Sequence, residues 1–304
     1  MLSRRLWAAL AAATLVGGAA AAVVAQGRFD KIEVKSEKLA DGLWVLYGAG
    51  GNIGVRAGAD GVLLVDAQYA EMSPKVLAAV KQLSDQPIRW LVNTHWHGDH
   101  TGGNANMTAA GALLFAHDRV RERLLEGQDN KFFGRKVEPA SGKALPVVTF
   151  PDVLTLHVDG EDEVAFHVPP AHTDGDVMVW FPRSNVLHMG DTFFNGLYPI
   201  IDLESGGSID GMIANAELAL GKVSADTKII PGHGNVTDRT TLQAYHDMLV
   251  GVRAAVAALV KQGKALDDVV AAKPTAPWDD QWGKGFVKPE VFTKVVYTEL
   301  SAKK

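Results

Sequence analysis

The chain has 304 residues, of which 47% are hydrophobic and 21% are charged, and its formal net charge is −5. These values are typical of a globular protein, so they exclude disordered and fibrous classes, and the negative charge argues against a nucleic-acid partner. Cysteine is absent, which excludes disulfides, iron–sulfur clusters and a cysteine nucleophile, so any bound metal must be held by His, Asp or Glu.

Residues 1–25 are expected to be a secretory signal peptide. Arg4 and Arg5 precede an apolar, Ala-rich run from Leu6 to Val24, and the small residue Ala25 offers a cleavage point. The arginine pair partly resembles a twin-arginine signal. We therefore expect a periplasmic or secreted protein that keeps no stable membrane anchor after cleavage. The alternative is an uncleaved anchor helix, because the run is long enough to cross a bilayer.

Residues 26–304 are expected to form a single domain, beginning with a polar and loose stretch at 26–31. Alternating or apolar runs bounded by Gly, Pro and Asp predict strands at 43–47, 52–57, 61–65, 88–92, 112–116, 153–158, 164–168, 177–181, 186–189 and 228–230. Helical spacing and capping residues predict helices at 73–86, 103–110, 118–125, 208–220, 238–262, 266–271 and 292–300. Residues 126–145 are predicted to be irregular. This order favours two sheets packed face to face with helices outside.

The segment Asn93-Thr94-His95-Trp96-His97-Gly98-Asp99-His100 carries the strongest chemical signal in the chain. It places three histidines and one aspartate within six residues, directly after a predicted buried strand. On extended backbone, His95 and His97 project to the same side, while Trp96 faces the opposite side and is expected to pack in the core. Gly98 permits a turn that directs Asp99 and His100 toward the same region. Imidazole and carboxylate groups clustered in this way predict a metal site.

Three later positions fit the same site, because each follows a predicted strand. They are His172 in Ala171-His172-Thr173, Asp191 in Gly190-Asp191-Thr192 and His233 in Gly232-His233-Gly234. Residues at strand ends can converge on one edge of a sheet sandwich. Four isolated histidines are predicted to be surface or core residues, namely His117, His157, His167 and His246. His188 is predicted at most to support the ligands from behind, without binding a metal itself.

The H-x-H-x-D-H motif and the three later positions resemble the metallo-β-lactamase superfamily. The resemblance implies an α/β (α+β) fold, the four-layer αββα sandwich, with two zinc ions at one edge. It implies that His95, His97 and His172 bind the first zinc, that Asp99, His100 and His233 bind the second, and that Asp191 bridges them. Asp191 stands where some lactamases have a zinc-binding cysteine, and in this the chain is similar to the hydrolase branch that includes glyoxalase II and the lactonases.

The function that the resemblance implies is that of an exported dinuclear zinc hydrolase. A metal-bridging hydroxide would open a carbonyl substrate, with Asp99 as the catalytic residue that orients the nucleophile and moves its proton. We expect a small, anionic substrate and β-lactamase-like activity on cyclic amides. Lactonase, esterase or thioesterase activity and a non-catalytic zinc-binding accessory role remain the alternatives, and the same ligand set also accepts iron or manganese.

Overall fold

The computed structural model describes residues 27–130 and 134–302, which form two β-sheets covered by helices. The first sheet has seven strands, and the second has five. The first sheet comprises Lys35–Ala40 (β1), Leu43–Tyr47 (β2), Ile53–Gly58 (β3), Gly61–Val65 (β4), Ile88–Val92 (β5), Leu113–His117 (β6) and Val148–Phe150 (β9). The second comprises Val153–Val158 (β10), Glu161–His167 (β11), Val177–Phe181 (β12), Val186–His188 (β13) and Lys228–Ile230 (β14).

Both sheets mix antiparallel hairpins with parallel pairs. Strands β1 to β4 form an antiparallel meander, whereas β4-β5, β5-β6 and β6-β9 pair in parallel through crossover connections. In the second sheet only β13 and β14 are parallel, and helix Ile209–Lys222 connects them. Parallel pairing aligns the carboxyl ends of β13 and β14. The segment after β5 reaches the same edge from the facing sheet, because Nε2 of His100 lies 3.1 Å from Oδ1 of Asp191.

Three apolar clusters separate four layers. Between the sheets, Val65 and Val92 of the first sheet pack with Val179 and Ile230 of the second. The outer face of the first sheet packs on helix Ser73–Leu83, and the outer face of the second packs on Ile209–Lys222, Arg239–Lys261 and Pro289–Ala302. This helix–sheet–sheet–helix arrangement is the αββα sandwich expected from the sequence.

Helices Ile209–Lys222 and Arg239–Lys261 begin where the sequence predicts them, because their capping residues are present, whereas the last helix begins at Pro289 and not at the predicted residue 292. Ser208 accepts a hydrogen bond from the Gly211 N–H at one helix start, and Asp238 accepts one from the Thr241 N–H at another. The described α-helices are Ser73–Leu83, Gly98–Thr101, Asn104–Ala109, Asp118–Glu126, Ile209–Lys222, Arg239–Lys261, Leu266–Ala271, Asp279–Trp282 and Pro289–Ala302.

The structure differs from the sequence prediction in several short elements. Strand β1 was not predicted, because its charged residues are mostly exposed at the sheet edge. The stretch predicted to be irregular contains a small hairpin, Gln128–Asn130 (β7) and Arg135–Val137 (β8). The segment at 26–31 is not loose over its described residues, because Phe29 is buried against the first sheet.

The expected signal peptide lies outside the described residues. Among the helices that the structure describes, none is long and apolar enough to cross a membrane.

Candidate metal centre

One connection supplies four of the seven predicted ligands. Strand β5 ends at Val92, and the chain then bends at residues 94–96, where the sequence predicts extended backbone, before the one-turn helix Gly98–Thr101, which carries Asp99 and His100. The sequence predicts a turn here, and the structure forms it as a helical turn. The imidazoles of His95 and His97 lie 5.0 Å apart between ring centroids. Trp96 packs in a buried apolar cluster, as predicted, although its ring also lies 5.0 Å from that of His97.

Three further connections bring the other predicted ligands to the same edge. His172 follows β11, Asp191 lies in a 3-10 turn after β13, and His233 follows β14. Gly232 is required beside Asp191, because a Cβ at this position would collide with the Asp191 carboxylate. The four strand ends therefore converge, as their order in the sequence predicts.

The seven side chains form three groups whose donor atoms lie within 4.8 Å of one another. The groups are His95, His97 and His172; then His95, His100 and Asp191; then Asp99, His100 and His233. The first group equals the predicted ligand set of one metal, and the third equals the predicted set of the other. Asp191 lies between them, since its Oδ2 is 3.5 Å from Nε2 of His172 and 3.3 Å from Nε2 of His233.

Hydrogen bonds behind His97 and His172 occupy the outer nitrogen of each ring. Nε2 of His97 donates to Oδ2 of Asp202 at 2.9 Å, and Nδ1 of His172 donates to the Ile200 carbonyl at 2.8 Å. The remaining nitrogens, Nδ1 of His97 and Nε2 of His172, face each other at 2.7 Å. Two lone pairs at this distance repel unless a proton or a metal ion takes them up. The arrangement fits a metal ion.

A second network behind His95 and His100 has the same effect. Thr94 Oγ1 donates to Asp66 at 2.7 Å, so it accepts from Nδ1 of His95 at 3.0 Å. Nδ1 of His100 donates to Asp66 at 2.7 Å. Nε2 of His95 is thereby left buried without a hydrogen-bond partner among the described residues. An orphaned buried donor atom of this kind fits a bound cation.

The pKa values of the cluster follow from burial and from charge. Burial, assisted by the neighbouring His97, lowers the pKa of His172 to about 4. Burial also lowers the pKa of His233, but the carboxylates of Asp191 and Asp99 outweigh it and raise the pKa to about 9. Without a metal, protons therefore take the place of cations between the imidazoles and the carboxylates of the second group.

A cavity of about 710 Å³ opens over the cluster. Its walls include His97, Asp99, Asp191 and His233, so donor atoms of both metal groups are accessible from it. The other described walls are largely apolar and include Phe29, Ile32, Tyr69, Val137, Ile200, Phe286, Val287 and Val291. Such a mostly apolar cavity with a few polar groups is typical of a small-molecule site.

Two buried carboxylates of the site were missed by the sequence analysis. Asp66 directly follows β4 and adopts a positive φ of 70°, and it positions both Thr94 and His100. Its place at a strand end was a signal that could have been used. Asp202 gives no comparable signal, because it lies in a loop and meets His97 across 105 residues. Although burial raises the pKa of Asp202, the hydrogen bond from His97 lowers it to about 2.

The structure also places the other residues that the sequence analysis considered. The ring nitrogens of His188 contact the backbone of Asn52 and Gly190 behind the cluster. His117 and His167 lie elsewhere, and their rings stack with a centroid distance of 3.8 Å. Phe193 and Phe194 are buried, and Phe194 stacks on the His233 ring. Phe132 and Phe133, an aromatic pair in the stretch that was predicted to be irregular, lie outside the described residues.

Comparison with known proteins identifies the family of the chain. Residues 46–233 match the family described as the Metallo-beta-lactamase superfamily. A hydroxyacylglutathione hydrolase from Nitrosococcus oceani is 28% identical over 148 residues, which are 48% of this chain and 48% of that protein. A type 2 metallo-beta-lactamase from Bacteroides fragilis is 23% identical over 150 residues, 49% of this chain and 54% of that protein. The chain thus matches about half the length of each.

Solved structures show the same fold. The inverting sec-alkylsulfatase Pisa1 from Pseudomonas sp. superposes with a TM-score of 0.67 at 18% identity, over 88% of this chain and 50% of that one. DIM-1 metallo-beta-lactamase superposes with a TM-score of 0.58 at 24% identity, over 72% of this chain and 98% of that one. At these identities the likeness concerns the fold alone.

Proposed function

The chain belongs to the metallo-beta-lactamase superfamily, whose members are metal-dependent hydrolases that typically use zinc, and on this basis we propose that it is a dinuclear zinc hydrolase acting on a carbonyl substrate. One observation carries the proposal. The ring nitrogens of His95, His97 and His172 lie within 4.8 Å of one another, as do donor atoms of Asp99, His100 and His233. His97, Asp99, Asp191 and His233 of this cluster line one cavity. His95, His97 and His172 would hold one ion, Asp99, His100 and His233 the other, and Asp191 would contact both.

Bound zinc would supply a Lewis acid and would lower the pKa of water toward neutrality. The residues of the chain supply the rest of the chemistry. Asp191 balances the positive charge between the two groups, and Asp66 and Asp202 fix the imidazoles so that no reorganisation is needed during the reaction.

Asp99 is the proposed catalytic residue, because it contacts both the cluster and the cavity. Its Oδ2 lies 3.3 Å from Nε2 of His233, and its side chain is 22% exposed, unlike the fully buried His100 beside it. In the metal-free cluster, His100 and His233 hold the pKa of Asp99 well below its usual range against the effect of burial, so the carboxylate is ionised and ready to bind a cation. It can accept a proton from the attacking water and return it to the leaving group.

Cyclic amides of the β-lactam type are the first proposed substrate class, in line with the lactamase among the relatives. Esters and thioesters are the second, and Asp191 in the place of a metal-binding cysteine favours them, as does the relative named hydroxyacylglutathione hydrolase. We also propose export of the mature chain, supported by the apolar run and the arginines of residues 1–25.

Metal counting together with a substrate panel tests this proposal. The zinc-loaded protein is expected to bind two ions and to hydrolyse a chromogenic cephalosporin or a member of a lactone, ester and thioester panel. Asp99→Asn is expected to lower kcat about a hundredfold or more when it is assayed at a zinc concentration that keeps two ions bound, with the zinc content counted in the same sample. The proposal is wrong if the two-zinc protein turns over none of these compounds, or if a His95→Ala/His97→Ala double variant is as active as the wild type.

A further inference from the structure

The segment just after the expected signal peptide forms one wall of the cavity. Phe29 is 6% exposed, and its ring stacks on Tyr69 at 5.2 Å with an angle of 30°. Nζ of Lys75 donates to the carbonyl oxygens of Phe29, Asp30 and Ile32 at distances between 2.7 and 2.9 Å. One ammonium group thus uses three donors to hold the segment on helix Ser73–Leu83, so the wall is a built part of the site.

Arg28 sits on this wall and lines the cavity. Its Cζ atom lies 5.1 Å from the Phe29 ring centroid and 5.9 Å from that of Tyr69, so both rings support the guanidinium. Arg28 forms no ion pair with a carboxylate of the described residues. Among the described residues that line the cavity, it is also the single Lys or Arg. Its hydrogen-bond donors are therefore available to a ligand.

Apolar side chains line the cavity together with Arg28 and the metal cluster. Phe286 is 54% exposed, and its ring lies 5.6 Å from the His233 ring between centroids. Ile32, Ile200 and Val291 line the same space. The cavity therefore combines the reactive cluster, apolar walls and one cationic side chain.

We propose that Arg28 is a specificity-determining residue that binds the carboxylate of an amphipathic substrate whose apolar body lies between Phe29 and Phe286. The inference rests on the proposed function, since it assigns the substrate class of the same cavity. The planar guanidinium, held by two aromatic rings, can bind a carboxylate with two hydrogen bonds. A substrate with an aromatic or alkyl body and one carboxylate remote from the scissile bond is the class that fits.

Equilibrium binding separates this inference from catalysis. The probes are 4-phenylbutyrate and the neutral analogue 4-phenylbutan-1-ol, titrated calorimetrically into the zinc-loaded full chain. Arg28→Gln is expected to raise the Kd of the acid about tenfold and to leave the Kd of the alcohol within about twofold. Arg183→Gln is the matched control, because Arg183 is an exposed residue paired with Glu161 and does not line the cavity.

The inference is overturned if the wild type does not bind the acid, if Arg28→Gln leaves its Kd unchanged, or if the variant weakens both probes equally, which would indicate a structural role. Because no turnover is measured, the two proposals can fail separately. Arg28-dependent binding without hydrolysis of any substrate would support the anion site and refute the hydrolase assignment.

Discussion

Asp202 and His97 are 105 residues apart, and Oδ2 of Asp202 accepts a hydrogen bond from Nε2 of His97 at 2.9 Å. The carboxylate also accepts from the Ser205 hydroxyl at 2.7 Å and is 1% exposed, so its position is fixed. The bond places a proton of His97 on Nε2. Nδ1, which faces His172, is then the nitrogen that can bind a metal ion. Asp202 thus positions a predicted metal ligand without contacting the cluster centre.

Replacing Asp202 should weaken metal binding more than it weakens the fold. Asp202→Ala removes the acceptor of the His97 N–H, and we expect zinc affinity to fall by about ten- to a hundredfold, measured by competition with a chromophoric chelator. Asp202→Asn keeps one oxygen acceptor and should recover part of the affinity. Equal affinities in the wild type and the alanine variant would contradict the positioning role.

Zinc binding should release protons near pH 7.5. The pKa of His233 is about 9 in the metal-free protein, so this imidazole is protonated at that pH and must lose its proton to bind a metal. We expect the apparent calorimetric enthalpy of zinc binding to vary with the ionisation enthalpy of the buffer, with a slope of about one proton from this residue. His233→Ala should reduce the slope by that amount, and an unchanged slope would refute the assignment.

Removing the proton has a predicted effect on the stability of the metal-free protein. A histidine whose pKa rises from 6.5 to about 9 on folding stabilises the folded state fully below pH 6.5, and this contribution disappears as the pH rises through 9. Denaturant titrations of the apo-protein at pH 6.5 and pH 9.5 should therefore differ in the direction of lower stability at high pH. The zinc-loaded protein should lack this component.

Gly51 should not tolerate a side chain. A Cβ at Gly51 would collide with the imidazole of His100, which cannot move away because it is fully buried and bound to Asp66. Gly51→Ala is expected to lower the zinc content from two ions toward one, measured by elemental analysis. Gly221→Ala is the control, since a Cβ there meets no atom within 4 Å, and in helix Ile209–Lys222 it should add about 0.5–1 kcal/mol of stability.

Glu163 should make the protein less stable as the pH rises from 4.5 to 7. Burial raises the pKa of Glu163 to about 7. Arg56 lies 3.1 Å away and lowers this pKa without outweighing burial, because Arg56 also faces Asp159 and Glu161, whose charges raise the pKa of Glu163. A carboxyl group with a raised pKa binds its proton more tightly in the folded state, so stability is lost as it ionises. Glu163→Gln should flatten the pH dependence of the unfolding free energy by up to about 3 kcal/mol.

Denaturant titrations of the zinc-loaded protein between pH 5 and 8 measure this change. Glu138→Gln serves as the control, because Glu138 is exposed and pairs with the exposed Lys136. A Glu163→Gln variant with the slope of the wild type would show that Arg56 keeps the carboxylate ionised throughout this range.

Lys75 should hold the N-terminal wall of the cavity. Lys75→Met keeps an unbranched side chain and the helix but removes three hydrogen bonds to the backbone of residues 29–32. We expect amide hydrogen exchange at 28–34 to accelerate about tenfold or more, with exchange in strand β5 unchanged. Unchanged exchange at 28–34 would show that the stacking of Phe29 alone anchors the segment.

The amino-acid sequence by itself determined the fold class and brought out the seven residues of the cluster. The H-x-H-x-D-H segment is local, and His172, Asp191 and His233 each follow an apolar run that reads as a strand. Period-two and period-3.6 patterns and capping residues act over short stretches of chain, which is why they can be read directly. Strand β1 was not predicted, because an edge strand with exposed charges lacks an alternation of apolar and polar residues.

Only the tertiary structure decided how the ligands are oriented and what surrounds them. The contacts of Asp66 with His100, of Asp202 with His97 and of Lys75 with residues 29–32 join parts of the chain that meet through sheet packing. The composition gives only the net charge of −5, whereas the structure shows that Arg28, stacked on an aromatic ring, lies in one wall of the cavity. Long-range pairing depends on how the two sheets and their helices pack, and a local pattern carries no record of that.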